Sequence, residues 1–248
     1  MFSMEIDCAV EDRDLLIAEL WERGVAGVVE LAPSRVRAFF EEGADRRALL
    51  AAYPGAAVRE EEERDWVREA REMLQPMEVG ERFFLVPEWR DDPTPAGRFR
   101  IAVNPGMAFG TGAHETTRLC IEALERHVRP GVDVLDVGTG SGILARAAAL
   151  LGARRVWACD IDPVAVEVAG IGFVGTADAV KTGAADVVVA NISPEAIVGL
   201  ARDLLRVRRA GGVVLASGFE LQDLTDVEDA LGAPREVRTK GSWALAEV

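Results

Sequence analysis

The chain has 248 residues, 49% of them hydrophobic and 28% charged, with a formal net charge of −14. That balance is one of a soluble globular protein with a core of its own, and no apolar run approaches the roughly 20 residues of a membrane span. The surplus of acid opposes autonomous binding to nucleic acid, whose phosphates it would repel, and permits a basic protein partner. Glu5 and Asp7 stand where a signal peptide would carry basic residues. Cys8, Cys120 and Cys159 are scattered without metal-ligand spacing. They read as buried thiols in a reducing cytoplasm, and no metal site is expected.

The first sixty residues alternate. Met4 to Val10 reads as a strand and Glu11 to Arg23 as a helix ended by Gly24. Val25 to Leu31 and Arg35 to Phe40 read as strands turned at Pro33-Ser34, Ala44 to Tyr53 as a second helix, and Ala57 to Glu61 as a last strand. The order β-α-β-β-α-β is that of a small ferredoxin-like α+β domain, expected over residues 1–62. The charge run Glu60 to Arg64 leads into a linker helix, Asp65 to Leu74, so that the linker occupies residues 63–75 and the larger domain 76–248. Phe83 to Val86 and Phe99 to Val103 read as strands on either side of a turn-rich stretch.

From Val132 strands and helices alternate strictly. Val132–Val137, Arg155–Asp160, Ala185–Asn191 and Gly212–Ser217 are the strands, with Gly142–Leu151 and Pro194–Arg206 the clearest helices. This pattern predicts an α/β fold, a doubly wound, mostly parallel, Rossmann-like sheet whose ligand-holding core is residues 130–248. The tail, Glu236–Thr239 and Ser242–Val248, reads as a β-hairpin.

Four segments carry chemistry. In Val134-Leu135-Asp136-Val137-Gly138-Thr139-Gly140-Ser141-Gly142 an apolar strand runs into a glycine turn that opens a helix, where bare backbone and helix-start amides face an anion. A dinucleotide fingerprint needs its third glycine at 143, which is Ile143; the glycines fall instead at 138, 140 and 142, the spacing that resembles the first motif of class I methyltransferases. The carboxylate of Asp160, at the end of the next strand and followed by Ile161, is placed to accept ribose hydroxyls. Asp162 precedes Pro163 and reads as a helix N-cap. Asn191 ends a central strand, where its amide oxygen and the carbonyl of Ile192 are available to an amine; the competing reading is a cap for the helix opening at Pro194. The fourth segment, Asn104 to Arg118, is a long glycine-rich loop ending in hydroxyls at a helix start, which suits folding over a ligand.

Phe109-Gly110-Thr111-Gly112-Ala113-His114-Glu115-Thr116-Thr117, followed by the glycine motif and Asn191-Ile192, closely resembles the bacterial ribosomal protein L-eleven methyltransferases (the PrmA type). The resemblance extends over nearly the whole chain, to the ending Gly241-Ser242-Trp243-Ala244-Leu245. It implies a seven-stranded methyltransferase sheet and S-adenosyl-L-methionine as cofactor. Thr117, Gly138, Asp160 and Asn191 would contact the cofactor, with Phe109 and His114 on the covering loop. Asp136, Thr139, Gly140, Gly142, Ile161 and Asp178 complete the expected cofactor site, the last toward the adenine amino group. Asn191 and Ile192 would face the amine to be methylated, on lysine side chains and the α-amino group of ribosomal protein L-eleven, which the N-terminal domain would recognise.

One departure stands out. After Asp162-Pro163 the family has a full helix and an Asn-Gly turn, whereas here Val164 to Ala169 is followed at once by Gly170-Ile171-Gly172-Phe173-Val174-Gly175, about ten residues shorter. Weakened cofactor binding on the adenine side is the expectation. Methylation of another protein or of a small molecule by the same core, and a non-catalytic protein with a degraded cofactor site, are the alternative readings.

Overall fold

The structure, a computed structural model, describes residues 1–12, 16, 17, 19, 20, 23–32, 34–41, 43–60, 75–103 and 114–248. The chain divides into two compact units, Met1–Met73 and Leu74–Val248.

In the first unit β1 (Phe2–Asp7), β2 (Gly27–Ala32), β3 (Arg35–Phe40) and β4 (Ala57–Glu60) form an antiparallel sheet in the order β2-β3-β1-β4. The first strand stops at Asp7, short of the expected Val10, because the chain turns into a 3-10 segment at Val10–Asp12. Leu16, Ile17, Glu19 and Leu20 are helical, and the rest of the expected Glu11–Arg23 helix lies in part outside the described residues. Helix α1 (Arg46–Ala52) is capped by Asp45, whose side chain accepts from Ala48 N. Alternating side chains on one sheet face, Phe2, Met4 and Ile6 with Val36, Ala38 and Phe40, pack against Leu16, Leu20 and Leu49. The expected linker helix, Asp65 to Leu74, lies outside the described residues.

The second unit opens with a three-stranded sheet, β5 (Met77–Val79), β6 (Phe83–Pro87) and β7 (Phe99–Val103), in which β6 and β7 are parallel. Helix α2 (Glu115–His127) follows, and then the main sheet: β8 (Asp133–Val137), α3 (Ile143–Leu150), β9 (Arg155–Asp160), α4 (Pro163–Ala169), β10 (Phe173–Val174), β11 (Ala185–Asn191), α5 (Pro194–Val207), β12 (Arg208–Glu220), α6 (Leu224–Leu231), β13 (Glu236–Lys240) and β14 (Trp243–Glu247). Its order is β10-β9-β8-β11-β12-β14-β13, with β8 to β12 parallel and β14 antiparallel to β12. The order reverses at β8, whose neighbours are β9 and β11, and there a doubly wound sheet opens its ligand crevice.

Both faces are covered. One core joins α2 and α3 to the small sheet through Leu119, Ile121, Leu124, Ile143, Leu144, Phe83 and Ile101. The other sets Leu135, Val188, Val214 and Phe219 against Ile197 and Leu204 of α5 and Val227 of α6. No described helix is long and apolar enough to cross a membrane. Of the cysteines, Cys120 and Cys159 are buried as expected; Cys8 is only partly covered, since it sits where β1 has just ended.

Strand β12 begins at Arg208, four residues before its expected start at Gly212. A register shift between Ala185 and Val187 admits the extra residues, and a Cβ on Gly212 would lie 2.4 Å from Asp186 O, so only glycine passes there.

Candidate functional site

Strand β8 is buried along its whole length, and its last residue delivers the chain to a turn that side chains would obstruct. Gly138 has φ +73°, and a Cβ on it would meet Ile192 Cγ2 at 2.3 Å. Gly142, in the left-handed region, is the N-cap of α3 and has no side chain to satisfy the helix-start amides. The turn is held from below by Asp136, which is 0% exposed; its Oδ2 accepts from Thr139 Oγ1 at 2.7 Å and from Ala145 N at 3.1 Å. Burial pushes the Asp136 carboxyl up to about 6, against these two hydrogen bonds and with the help of the nearby Asp160 charge. Its Oδ1 is buried without a hydrogen-bond partner among the described residues.

From the next strand, Asp160 reaches back. Its Oδ2 accepts from Gly140 N at 2.9 Å and its Oδ1 from Asp162 N at 3.0 Å, so one carboxylate ties the glycine turn to the end of β9. Asp162 caps α4, accepting from Val164 N at 2.8 Å, with Pro163 in the first turn.

At the end of β11, Asn191 Nδ2 donates to Thr117 Oγ1 at 3.3 Å. Capping of α5 falls to Ser193, whose Oγ accepts from Ala196 N, and this leaves the Asn191 amide to the cleft. Ile192 N donates to Ser217 O at 3.1 Å, and its carbonyl is approached so closely by β12 that a Cβ on Gly218 would lie 2.1 Å from Ile192 O. His114 is the N-cap of α2: Nδ1 accepts from Thr116 N at 3.3 Å and lies 2.8 Å from Thr116 Oγ1. Its ring meets Trp243 edge to face, with centroids 4.6 Å apart.

These elements enclose a cleft of about 480 Å³. Of the expected residues, Thr117, Gly138, Thr139, Gly140, Asp160, Ile161, Asn191 and Ile192 line it, with His114 beside them. Asp136 and Gly142 stand behind that lining as supports: Asp136 is wholly buried, and a Cβ on Gly142 would press on Ala169 at 2.9 Å. Asp178 is also outside the lining. It is exposed, and its Oδ1 takes the Thr176 hydroxyl at 2.5 Å, which holds its carboxyl below the usual range. Phe109 lies outside the described residues. The lining also includes residues that sequence reasoning did not single out as site residues, among them Gly175, Leu200, Gly218 and Trp243. A glycine directly after Ser217, where the strand was expected to end, was the available signal for Gly218; nothing in the local pattern marks Trp243.

The lining fits a cofactor that is cationic where it reacts. No lysine or arginine is present among the described lining residues, and Asp160 is the carboxylate there. Each Asp160 oxygen has accepted one backbone N–H and keeps a lone pair for a ribose hydroxyl. The bare turn from Gly138 to Gly140 accommodates close contact with a ligand.

The profile of the family described as ribosomal protein L11 methyltransferase (PrmA) matches residues 8–244. The chain belongs to this family. It is 41% identical over 215 residues to the ribosomal protein L11 methyltransferase of Paraburkholderia xenovorans, covering 84% of this chain and 71% of that one. To the enzyme of the same name from Symbiobacterium thermophilum it is 44% identical over 232 residues, 88% of this chain and 76% of the relative. Among solved structures, the ribosomal protein L11 methylase of Lactobacillus delbrueckii subsp. bulgaricus superimposes with a TM-score of 0.62 at 30% identity, covering 70% of this chain and 96% of that one. This family member is thus a methyltransferase with S-adenosyl-L-methionine as its cofactor, and the cleft at the β8 crossover is where the residues present fit it.

Proposed function

We propose that the chain transfers methyl groups from S-adenosyl-L-methionine to amine nitrogens of ribosomal protein L11, on lysine side chains and the α-amino group. Recognition of that substrate belongs, in this reading, to the N-terminal unit, and the reaction takes place in the cytoplasm. The cofactor supplies an electrophilic methyl on a positively charged sulfur, so the protein's part is alignment and selection of the right protonation state. Thr117, Gly138, Gly140, Asp160 and Ile161 hold the cofactor, and Asp136, Thr139 and Gly142 keep the turn in shape.

Asn191 carries the reading. Its Nδ2 donates to Thr117 Oγ1, so its Oδ1 is the atom left to accept an N–H from the incoming amine. An amine held by one N–H presents its lone pair elsewhere, toward the methyl group. An ammonium has no lone pair, so a lysine, which in water titrates near pH ~10.4, must first lose a proton. His114 is not arranged to take it: Nδ1 already accepts from Thr116 N, which puts the proton of the neutral ring on Nε2 and makes that nitrogen a donor. Water takes the proton, and Asn191 orients the neutral amine.

The test is a transfer assay with radiolabelled S-adenosyl-L-methionine on ribosomal protein L11 beside a total ribosomal-protein extract. Label on L11, lost in Asn191→Ala with cofactor affinity retained, is expected. Label on a different protein would discard the substrate; equal loss of turnover and cofactor binding in Asn191→Ala would discard the role given to Asn191.

A further inference from the structure

The strand order sets the ends of the cleft in sequence. Gly175 follows β10, Asp160 ends β9, Gly138 follows β8, Asn191 ends β11, Gly218 lies in β12 and Trp243 opens β14, where it pairs in register with Glu220. The carboxylate of the lining, Asp160, is on one side of Asn191, two strands away. On the other side the walls are Gly218, Trp243 and His114, which carry no carboxylate, lysine or arginine. The two rings meet there edge to face, and Trp243 is only partly buried.

That end is a poor place for a small hydrated ammonium and a good one for an alkylated nitrogen. In each round the ammonium first loses one nitrogen-bound proton to water; the lone pair so freed then forms the N–C bond as the C–S bond breaks with its electrons going to sulfur. A primary amine offers Asn191 Oδ1 two N–H groups, a monomethylated one offers a single N–H, and a dimethylated one offers none. Hydrogen bonding by Asn191 therefore cannot orient the nitrogen for a third transfer. Apolar and ring contacts strengthen as methyl groups are added, because the charge of an alkylated ammonium spreads over its methyls and a ring face attracts it.

We propose that Trp243, braced by His114, forms the subsite for the alkylated acceptor nitrogen and is the specificity-determining residue for how many methyl groups one amine receives. This rests on the amine-transfer reading above. The test compares wild-type, Trp243→Leu and Trp243→Phe chains with S-adenosyl-L-methionine and ribosomal protein L11, following product masses. In Trp243→Leu the third transfer should slow about tenfold or more relative to the first, and Trp243→Phe should restore most of that ratio. All three should bind S-adenosyl-L-homocysteine within about twofold in calorimetry, since the indole is on the far side of Asn191 from Asp160. An unchanged product distribution in Trp243→Leu overturns the proposal. So does equal slowing of all transfers, or a wild-type chain that stops at one methyl.

A wrong protein substrate would blank that assay, so the subsite is also probed directly. With S-adenosyl-L-homocysteine bound, butyltrimethylammonium should bind the wild-type chain about fivefold tighter than butylammonium, and Trp243→Leu should lose the preference. No preference in the wild type overturns the subsite. A preference without any transfer to L11 supports the subsite and discards only the substrate proposed above.

Discussion

Asn191 and Thr117 stand 74 positions apart in sequence and share one hydrogen bond, Nδ2 to Oγ1 at 3.3 Å. Thr117 is 1% exposed on the first turn of α2. It gives the Asn191 amide, whose two ends are nearly the same size, a preferred orientation. Replacing Thr117 with Val keeps the shape and removes the acceptor, so the amide is free to turn its NH₂ group toward the amine. Turnover at saturating cofactor should fall about 10- to 100-fold. Thr117→Ser should recover most of it, and steady-state rates on the three chains check this.

Asp160 has two duties, tying Gly140 N to the end of β9 and facing the cleft. Asp160→Ala should weaken S-adenosyl-L-homocysteine binding about 10- to 100-fold, the range for losing charge-assisted hydrogen bonds. Asp162→Ala, which removes only the α4 cap, should cost about 1 kcal/mol of stability and change affinity little. Calorimetric titration of both variants separates the two aspartates.

Gly218 combines φ +101° with a Cβ position 2.1 Å from Ile192 O. Gly218→Ala must therefore move either β12 or the Asn191–Ile192 segment. A loss of about 2 kcal/mol or more in urea unfolding is expected, together with loss of transfer.

At the opposite end of β8 from the glycine turn, Asp133, 1% exposed, is clamped by Arg154 Nε at 2.9 Å and Arg209 Nη2 at 3.2 Å. The Arg154 guanidinium first, and then Arg209, hold its carboxyl down to about 2 against the effect of burial. A carboxyl whose folded pKa is depressed stabilises the fold above its unfolded value, about 3.9, and loses that contribution as pH falls toward 2. Asp133→Asn should thus cost about 2–3 kcal/mol at pH 7, with the deficit shrinking below pH 4. Urea midpoints of both chains at pH 7 and pH 3.5 measure it.

The main sheet was legible because β8, β9 and β11 are short, mostly apolar runs that stop at glycine, aspartate and asparagine. Two-residue β10 was not, since Phe173 and Val174 form too short a run to carry a period and become a strand only through pairing with Cys159 and Asp160. The capping role of Asp162 was legible from the proline that follows it. Asp178, expected toward the adenine amino group, lies outside the described lining and takes the hydroxyl of Thr176. Trp243 could not be placed at all from its neighbours: it reaches the cleft only because β14 turns back antiparallel to β12.

The brevity of β10 reaches beyond the cofactor pocket. A seven-stranded sheet has two outer rims, and each presents unpaired amides and carbonyls on which a foreign strand can grow. On the α4 side that rim is two residues long, Phe173 and Val174, with Gly172 before it and Gly175 after it. On the other side it is Glu236–Lys240, where Glu236, Arg238 and Lys240 put a charge at every second position. One rim is too short and the other too charged to template a misfolded neighbour. Two residues of β10 thus leave the chain guarded against fibre-like stacking on that side of the sheet.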